Sequence, residues 1–212
     1  MNQRGILVVV SGFAGTGKGT VMKGLLAKYE EQYALSVSMT TRAPRPGERH
    51  GIEYFFSAKE DFEKKIEENG LIEYACYCDN YYGTPRDYVE QQLEAGKDVL
   101  LEIEIQGALQ VKEKIPGTVL VFVLPPSAKE LYDRLKGRGT ETEEVIRKRM
   151  RRAVEESQGI EKYDYVLVND DIDACVEALH QMIQSEKKRA CRNLTLIDTM
   201  KTQLCELEEG EF

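Results

Sequence analysis

An α/β fold with a parallel central sheet is predicted for this chain by three observations. Short apolar runs alternate with helical patterns, a glycine-rich loop follows the first run directly, and polar residues able to hold a ligand sit at the ends of several runs. The strand signals lie at residues 6–10, 35–39, 54–56, 71–78, 99–105, 119–124 and 165–168. Helical periodicity predicts helices over residues 21–29, 59–68, 86–95, 106–114, 128–136, 142–158 and 172–188. Apolar strands of this kind are covered on both faces, and ligands on such sheets lie beyond the carboxyl ends of the strands. The glycine-rich loop, Glu102 and Glu104, and Asn169 all fall at such ends.

The loop reads Gly12, Phe13, Ala14, Gly15, Thr16, Gly17, Lys18, Gly19, Thr20 after the run Ile6 to Val10. Its glycines let successive N–H groups turn toward phosphate oxygens, Lys18 brings a charge to the β- and γ-phosphates, and the helix that follows offers its first N–H groups. Flexible surface loops are also rich in glycine. The spacing, the preceding strand and the following helix together favour a nucleoside triphosphate site. One position departs from the usual pattern, because Gly19 stands where Ser or Thr normally follows the lysine, with Thr20 one place later. A hydroxyl bound directly to Mg²⁺ is not expected. The Gly-Lys-Gly-Thr variant is similar to that of adenylate kinases and points toward kinases of small nucleotides.

With 212 residues and 42% hydrophobic content, the chain has enough material for one well-cored α/β unit with small inserts. A net charge of −8 argues against a general nucleic-acid binder. No apolar stretch approaches the roughly 18 residues needed to cross a bilayer. The first four residues carry no secretory pattern, since strand and loop begin at once. Five cysteines, Cys76, Cys78, Cys175, Cys191 and Cys205, lack zinc-type spacing and read as reduced thiols in a cytoplasmic protein. Cys76 and Cys78, two apart in a strand pattern, are expected on one face.

Two segments interrupt the alternation. Residues 36–82 hold several strands and read as an inserted β-rich lobe. Residues 137–149 are glycine-flanked and charged, and read as a mobile lid. The expected organisation is a core of residues 1–35 and 83–188 carrying the lid, the lobe at 36–82, and a tail at 189–212 that is helical and then acidic, with a frayed end from 206. Within the lobe, Pro44 and Pro46 stiffen a turn that keeps Arg42 and Arg45 close, and guanidinium forks match phosphate geometry. Tyr54, Tyr81 and Tyr82 add phenolic donors, and residues 80–84 read as a polar turn. Exposed arginines and tyrosines are equally compatible with ordinary surface. At residues 102–105, strand alternation is expected to put the carboxylates of Glu102 and Glu104 on one face and Ile103 and Ile105 on the other.

Taken together, the strings SVSMTTRAPRPGE, HGIEYFF, NYYGT, GRGTETEE and VLVNDD resemble the guanylate kinase family, in order, over about residues 5–188. The resemblance implies a P-loop core, a lobe for the nucleoside monophosphate and a mobile lid. It implies transfer of the γ-phosphate of ATP to GMP or dGMP, giving ADP and GDP, with Mg²⁺ as cofactor and ATP and GMP as the small-molecule partners. By the same resemblance Arg42, Arg45, Tyr54 and Tyr82 grip the GMP phosphate, while Ser38, Glu73, Thr84 and Glu104 surround guanine. Lys18, Arg42, Arg134, Arg138 and Arg149 act on the transferred group. Asn169 lies near adenine, although that position also suits a helix N-cap, which Asp170 or Asp171 could equally supply. For Glu73 chemistry gives independent support: a carboxylate accepts hydrogen bonds from guanine N1–H and its 2-amino group, whereas adenine would leave it unpaired.

The family usually has Asp-x-Asp where this chain has Glu102 and Glu104. Glu102 is expected to reach the water shell of Mg²⁺ and Glu104 the base, each carboxylate about 1 Å further out than an aspartate's. Paired acids alone would also suit glycoside hydrolysis, which the P-loop disfavours. Lys148, Arg151 and Arg152 are compatible with a solvated helix face, His180 with the outer side of its helix, and His50 with a turn. A kinase for another monophosphate and a non-catalytic phosphopeptide-binding module remain the competing readings. The module is disfavoured by the presence of Lys18, Arg138 and Arg149. Monomer and homo-oligomer are both open.

Overall fold

The computed structural model describes residues 4–77, 79–137 and 142–210. Among the described residues nine strands form two sheets. The first contains β1 (Leu7–Gly12), β2 (Tyr33–Leu35), β7 (Asp98–Glu102), β8 (Val119–Leu124) and β9 (Tyr165–Val168), in the order β2-β7-β1-β8-β9. Every pair in it is parallel, with Val9 opposite both Leu101 and Leu120. The apolar runs are continuous because both faces are covered. Val8, Val10, Leu100 and Val121 pack on one side with Leu25 of α1 (Lys18–Lys28) and Leu179 of α7 (Ile172–Lys187). Leu7, Val9, Val99 and Leu120 pack on the other with Val89 of α3 (Arg86–Glu94) and Val111 of α4 (Ile105–Lys114). A third cluster joins Phe13 and Phe122 to α5 (Ala128–Gly137) and α6 (Glu143–Ser157). Removing one of the wholly buried side chains would cost about 2–5 kcal/mol.

The smaller sheet runs β4-β3-β6-β5, from β3 (Met39–Thr40), β4 (Phe55–Phe56), β5 (Leu71–Tyr77) and β6 (Asn80–Pro85), with α2 (Lys59–Glu67) following β4 in the chain. Three sequence expectations change here. The run expected as one strand at residues 35–39 is divided, because β2 ends at Leu35 in one sheet and β3 begins at Met39 in the other. The Ser36 amide still donates to Leu100 O at 2.8 Å before the chain crosses over. Residues 80–84, expected as a turn, form β6 antiparallel to β5, where strand-favouring Tyr81 and Tyr82 face Cys76 and Ala75. The run at 99–105 stops at Glu102; Glu104 is the N-cap of α4 and Ile105 its first residue. The two carboxylates therefore do not share a strand face.

The helix starts follow from their caps. The Thr142 hydroxyl accepts from Val145 N at 3.4 Å to open α6, and the Asp171 carboxylate from Ala174 N at 2.8 Å to open α7. The wholly buried Asp98 accepts from the Ile6 amide at 3.0 Å and from Lys187 at 3.1 Å, tying the first strand to the end of α7. His180 is not on the outer side of its helix: it stacks on Tyr29 with centroids 3.8 Å apart and hydrogen-bonds Tyr33 Oη at 2.7 Å. Of the end expected to fray, residues 206–209 are helical, within α8 (Leu194–Glu209), and Glu211 and Phe212 lie outside the described residues. Cys76 is exposed, and Cys78 lies outside the described residues. Among the described residues no helix is long and apolar enough to cross a membrane.

Candidate functional site

The loop between β1 and α1 carries the curvature its glycines predict. Gly15 and Gly17 have φ of +97° and +83°, a region that side chains with a Cβ rarely enter. Three groups fix the turn from inside. Phe13 is buried edge-on against Phe122, the Thr16 hydroxyl donates to Phe13 O at 3.0 Å, and Asn169 Nδ2 donates to Thr16 O at 2.7 Å. Asn169, at the end of β9, is 1% exposed, and its Oδ1 has no protein partner. It does not cap α7, a task performed by Asp171. A Cβ on Gly17 would lie 2.5 Å from Asn169 Nδ2, so the glycine and the asparagine fit each other. Asn169→Ala is expected to lower stability by about 1–3 kcal/mol, since the buried Thr16 carbonyl would lose its donor. Urea unfolding measures this; a loss below about 0.5 kcal/mol would show that Thr16 O finds water instead.

Helix α1 begins at Lys18, three residues earlier than its apolar pattern indicates. Lys18 Nζ lies 3.7 Å from Glu102 Oε1 at the end of β7. The space for a Cβ on Gly19 is bounded by the same carboxylate at 3.7 and 3.8 Å. Thr20 is exposed. Lys18 lines two cavities. One, of about 430 Å³, is bounded by Gly12, Ala14, Lys18, Ile103, Glu104, Ile105 and, from α6, Val145, Lys148, Arg149, Arg152 and Glu156. The other, of about 450 Å³, is bounded by Lys18, Leu35, Ser36, Ser38, Glu53, Tyr54, Thr84 and residues Leu101 to Glu104. A group shared by two adjoining cavities is where a reacting atom could pass between two ligands.

On the second side, Arg42 is held in the lobe by Glu48, with Nη2 at 2.8 and 3.0 Å from the two carboxylate oxygens. Its guanidinium lies 5.4 Å from the ring of Tyr54, and Tyr54 meets Tyr82 edge-on at 6.0 Å. The guanidinium keeps Glu48 below the usual carboxylate range. The Arg45 amide joins this cluster by donating to Glu48 Oε2 at 2.7 Å, while its exposed side chain acts on Glu48 through its charge alone. Below the cavity Glu73 is 7% exposed and accepts from the Thr84 hydroxyl at 2.7 Å. Between Leu71 and Tyr74 the pairing of β5 with β6 shifts by one residue, a bulge that re-aims Glu73. Burial pushes the Glu73 carboxyl up from its ordinary value, and Thr84 and Lys114 pull against that shift.

Among the predicted cationic residues the structure separates three cases. Arg149 lines the first cavity. Arg134 instead binds Glu130 one turn earlier on α5, at 2.8 Å, and is not among the cavity-lining residues. Arg138 lies outside the described residues, as does Gly139. Two side chains expected on a solvated face belong to the cavity: Lys148 and Arg152. Arg152 pairs with both Glu156 and Glu104, so the exposed Glu104 carboxylate is turned toward α6. Burial raises the Glu156 carboxyl, with Arg152 opposing. The i, i+4 spacing of Arg152 and Glu156 was the available sequence signal for this pair; the link to Glu104 joins distant segments and had none.

The chain is similar to known proteins over most of its length. Residues 4–186 match the family model described as guanylate kinase. The guanylate kinase of Latilactobacillus sakei is 49% identical over 206 residues, covering 97% of this chain and all of that protein. That of Caldanaerobacter subterraneus is 50% identical over 196 residues, covering 92% of this chain and 95% of its own. Among solved structures, a guanylate kinase from Anaplasma phagocytophilum superposes with a TM-score of 0.74 at 32% identity, covering 95% of this chain and 96% of that one.

Proposed function

This chain belongs to the guanylate kinase family and phosphorylates GMP from ATP, and we propose that it does so across Lys18, with ATP in the cavity beside α6 and GMP in the cavity beside the smaller sheet. The observation that carries this assignment is the position of Lys18 on both cavities. In this reading the loop amides from Gly12 to Thr20 hold the ATP phosphates, and Asn169 acts on ATP through the loop it braces. Arg42, Tyr54 and Tyr82 take the GMP phosphate, with Arg45 reaching it once the lobe closes. Ser38, Glu73 and Thr84 meet the base. Lys18, Arg149, Arg134 and Arg138 neutralise charge on the phosphoryl group in flight. The attacking phosphate oxygen of GMP is already an anion, so no general base is needed. A closed cleft keeps water from the γ-phosphate. The division into a core of residues 1–35 and 83–188, a lobe at 36–82, a lid at about 137–149 and a tail at 189–212 is part of this proposal.

Mg²⁺ is part of it as well. Among the described residues no three His, Cys, Asp or Glu side chains cluster as a ligand set. Near Lys18 and Gly19 the carboxylate on offer is that of Glu102. This fits a cation held mostly by phosphate oxygens and water, as Mg²⁺ commonly is, with Glu102 ordering the waters. When bound, the ion would neutralise charge on the ATP phosphates. The free thiols of Cys76, Cys175, Cys191 and Cys205 lead us to place the protein in the cytoplasm, and the acidic balance favours small-molecule over nucleic-acid partners.

A coupled assay of ATP consumption with GMP, dGMP, AMP, CMP and UMP tests the function, and turnover with another monophosphate above that with GMP would overturn it. The two acids separate by their contacts. Glu102→Gln is expected to lower kcat about tenfold and raise the Mg²⁺ requirement, as loss of a group ordering metal-bound water does elsewhere. Glu104→Gln should raise the KM of both substrates, because its carboxylate links the start of α4 to Arg152 on α6. A rise in GMP KM alone would instead return Glu104 to the base.

A further inference from the structure

Glu73 reaches its position by an unusual route. It lies at the bulge of β5, is almost wholly buried, and one oxygen, Oε1, is taken by Thr84. The other side of the carboxylate faces α4. A Cβ built on Gly107 would lie 3.4 Å from Glu73 Oε2 and 3.4 Å from Ile103 Cδ1. Gly107 is in the first turn of α4, and Lys114, two turns later on the same face, donates from Nζ to Ile72 O at 2.9 Å. Ile72 is the neighbour of Glu73 in the bulge.

Glycine inside a helix costs about 1 kcal/mol relative to alanine. A glycine whose added Cβ would stand 3.4 Å from a buried carboxylate oxygen has a local reason to be there. A methyl group would stand at the near edge of van der Waals contact with an oxygen that has little freedom to move, because its partner oxygen is tied to Thr84. We infer that α4 is the positioning element for the base-reading carboxylate, with Gly107 leaving the room that Oε2 occupies and Lys114 anchoring the bulge that aims it. The inference rests on the assignment of Glu73 to the guanine base. It adds two residues that touch neither substrate to the determinants of purine choice. Lys114 also supplies a positive charge near a carboxylate that must be ionised to accept two hydrogen bonds from guanine. The groups that act on this carboxylate are the Thr84 hydroxyl from β6 and the Lys114 ammonium from α4.

Gly107→Ala tests this, because the two possible roles give opposite signatures. If α4 positions Glu73, the GMP KM rises about fivefold or more, the ATP KM is unchanged and the melting temperature is equal or higher, as expected for Gly→Ala in a helix. Lys114→Met should also raise the GMP KM and shift the acid limb of kcat/KM for GMP to higher pH, and Lys114→Arg should restore both. In a Glu73→Gln background Gly107→Ala should add nothing to the GMP KM. An unchanged GMP KM in Gly107→Ala at preserved stability would overturn the inference. So would a loss of stability with both KM values raised together. A Glu73→Gln variant that still selects GMP over AMP would defeat the base assignment itself, a result read from a separate protein and so distinguishable from failure of α4.

Discussion

Lys18→Ala is expected to lower kcat about a thousandfold, close to 4 kcal/mol on the barrier, while the protein stays folded. Phosphoryl transfer leaves little covalent chemistry to the protein, so fixed positive charge at the transferred group carries most of the catalysis. Lys18 is the first residue of α1 and borders both cavities, which makes it a cation shared by donor and acceptor sides. Its structural duties are slight. The side chain is outside the three hydrophobic clusters, and its pairing with the half-exposed Glu102 at 3.7 Å is worth under about 1 kcal/mol. Activity should therefore collapse with little change in thermal midpoint. Single-turnover kinetics with saturating ATP and GMP, beside a melting curve, make the measurement. A variant that keeps more than about a tenth of wild-type kcat would remove Lys18 from the transfer step.

What the sequence made legible follows from how local each cause is. The parallel sheet, the loop glycines and Lys18 are set by neighbours within a few residues. The run from Ile6 to Val10 is covered on both faces, as its unbroken apolarity indicates. The positive φ of Gly15 and Gly17 is what a phosphate-wrapping turn demands. The failures share a different origin. Periodicity cannot see a chain cross between sheets, so residues 35–39 read as one strand when Ser36 to Ser38 bridge two. Alternation cannot locate the end of a strand, so the pattern pairs Glu104 with Glu102 on a face, whereas Glu104 caps α4 and turns to Arg152. Helical spacing separates a solvated face from a buried one only by polarity, and a cavity lined with charge defeats that rule at Lys148 and Arg152. The bulge that aims Glu73 is a one-residue mismatch between β5 and β6, and neither strand alone records it.

Glu73→Gln is expected to lower kcat/KM for GMP by about four orders of magnitude while that for AMP, already low, changes little. The size of the effect follows from burial. Glu73 is 7% exposed, and with Oε1 accepting from Thr84 it leaves its remaining acceptor capacity for the N1–H and 2-amino group of guanine. Glutamine keeps the volume but presents an NH₂ group where an acceptor is needed, setting donor against donor in a place water does not easily reach. Adenine offers a ring nitrogen lone pair and a C–H at the same edge, so the native carboxylate is already mismatched to it and its loss costs AMP little. Titration carries a second expectation with a definite sign. The ionised carboxylate is the competent form, and burial raises its pKa above the ordinary value of 4.5. The efficiency for GMP should accordingly rise with pH through a limb lying above 4.5, and Glu73→Gln should abolish that limb. Initial rates with GMP and AMP across pH 4 to 8 read both effects at once. Equal losses for the two nucleotides would make Glu73 a support of the bulge rather than the reader of the base. An acid limb that survives in Glu73→Gln would assign that titration to another group.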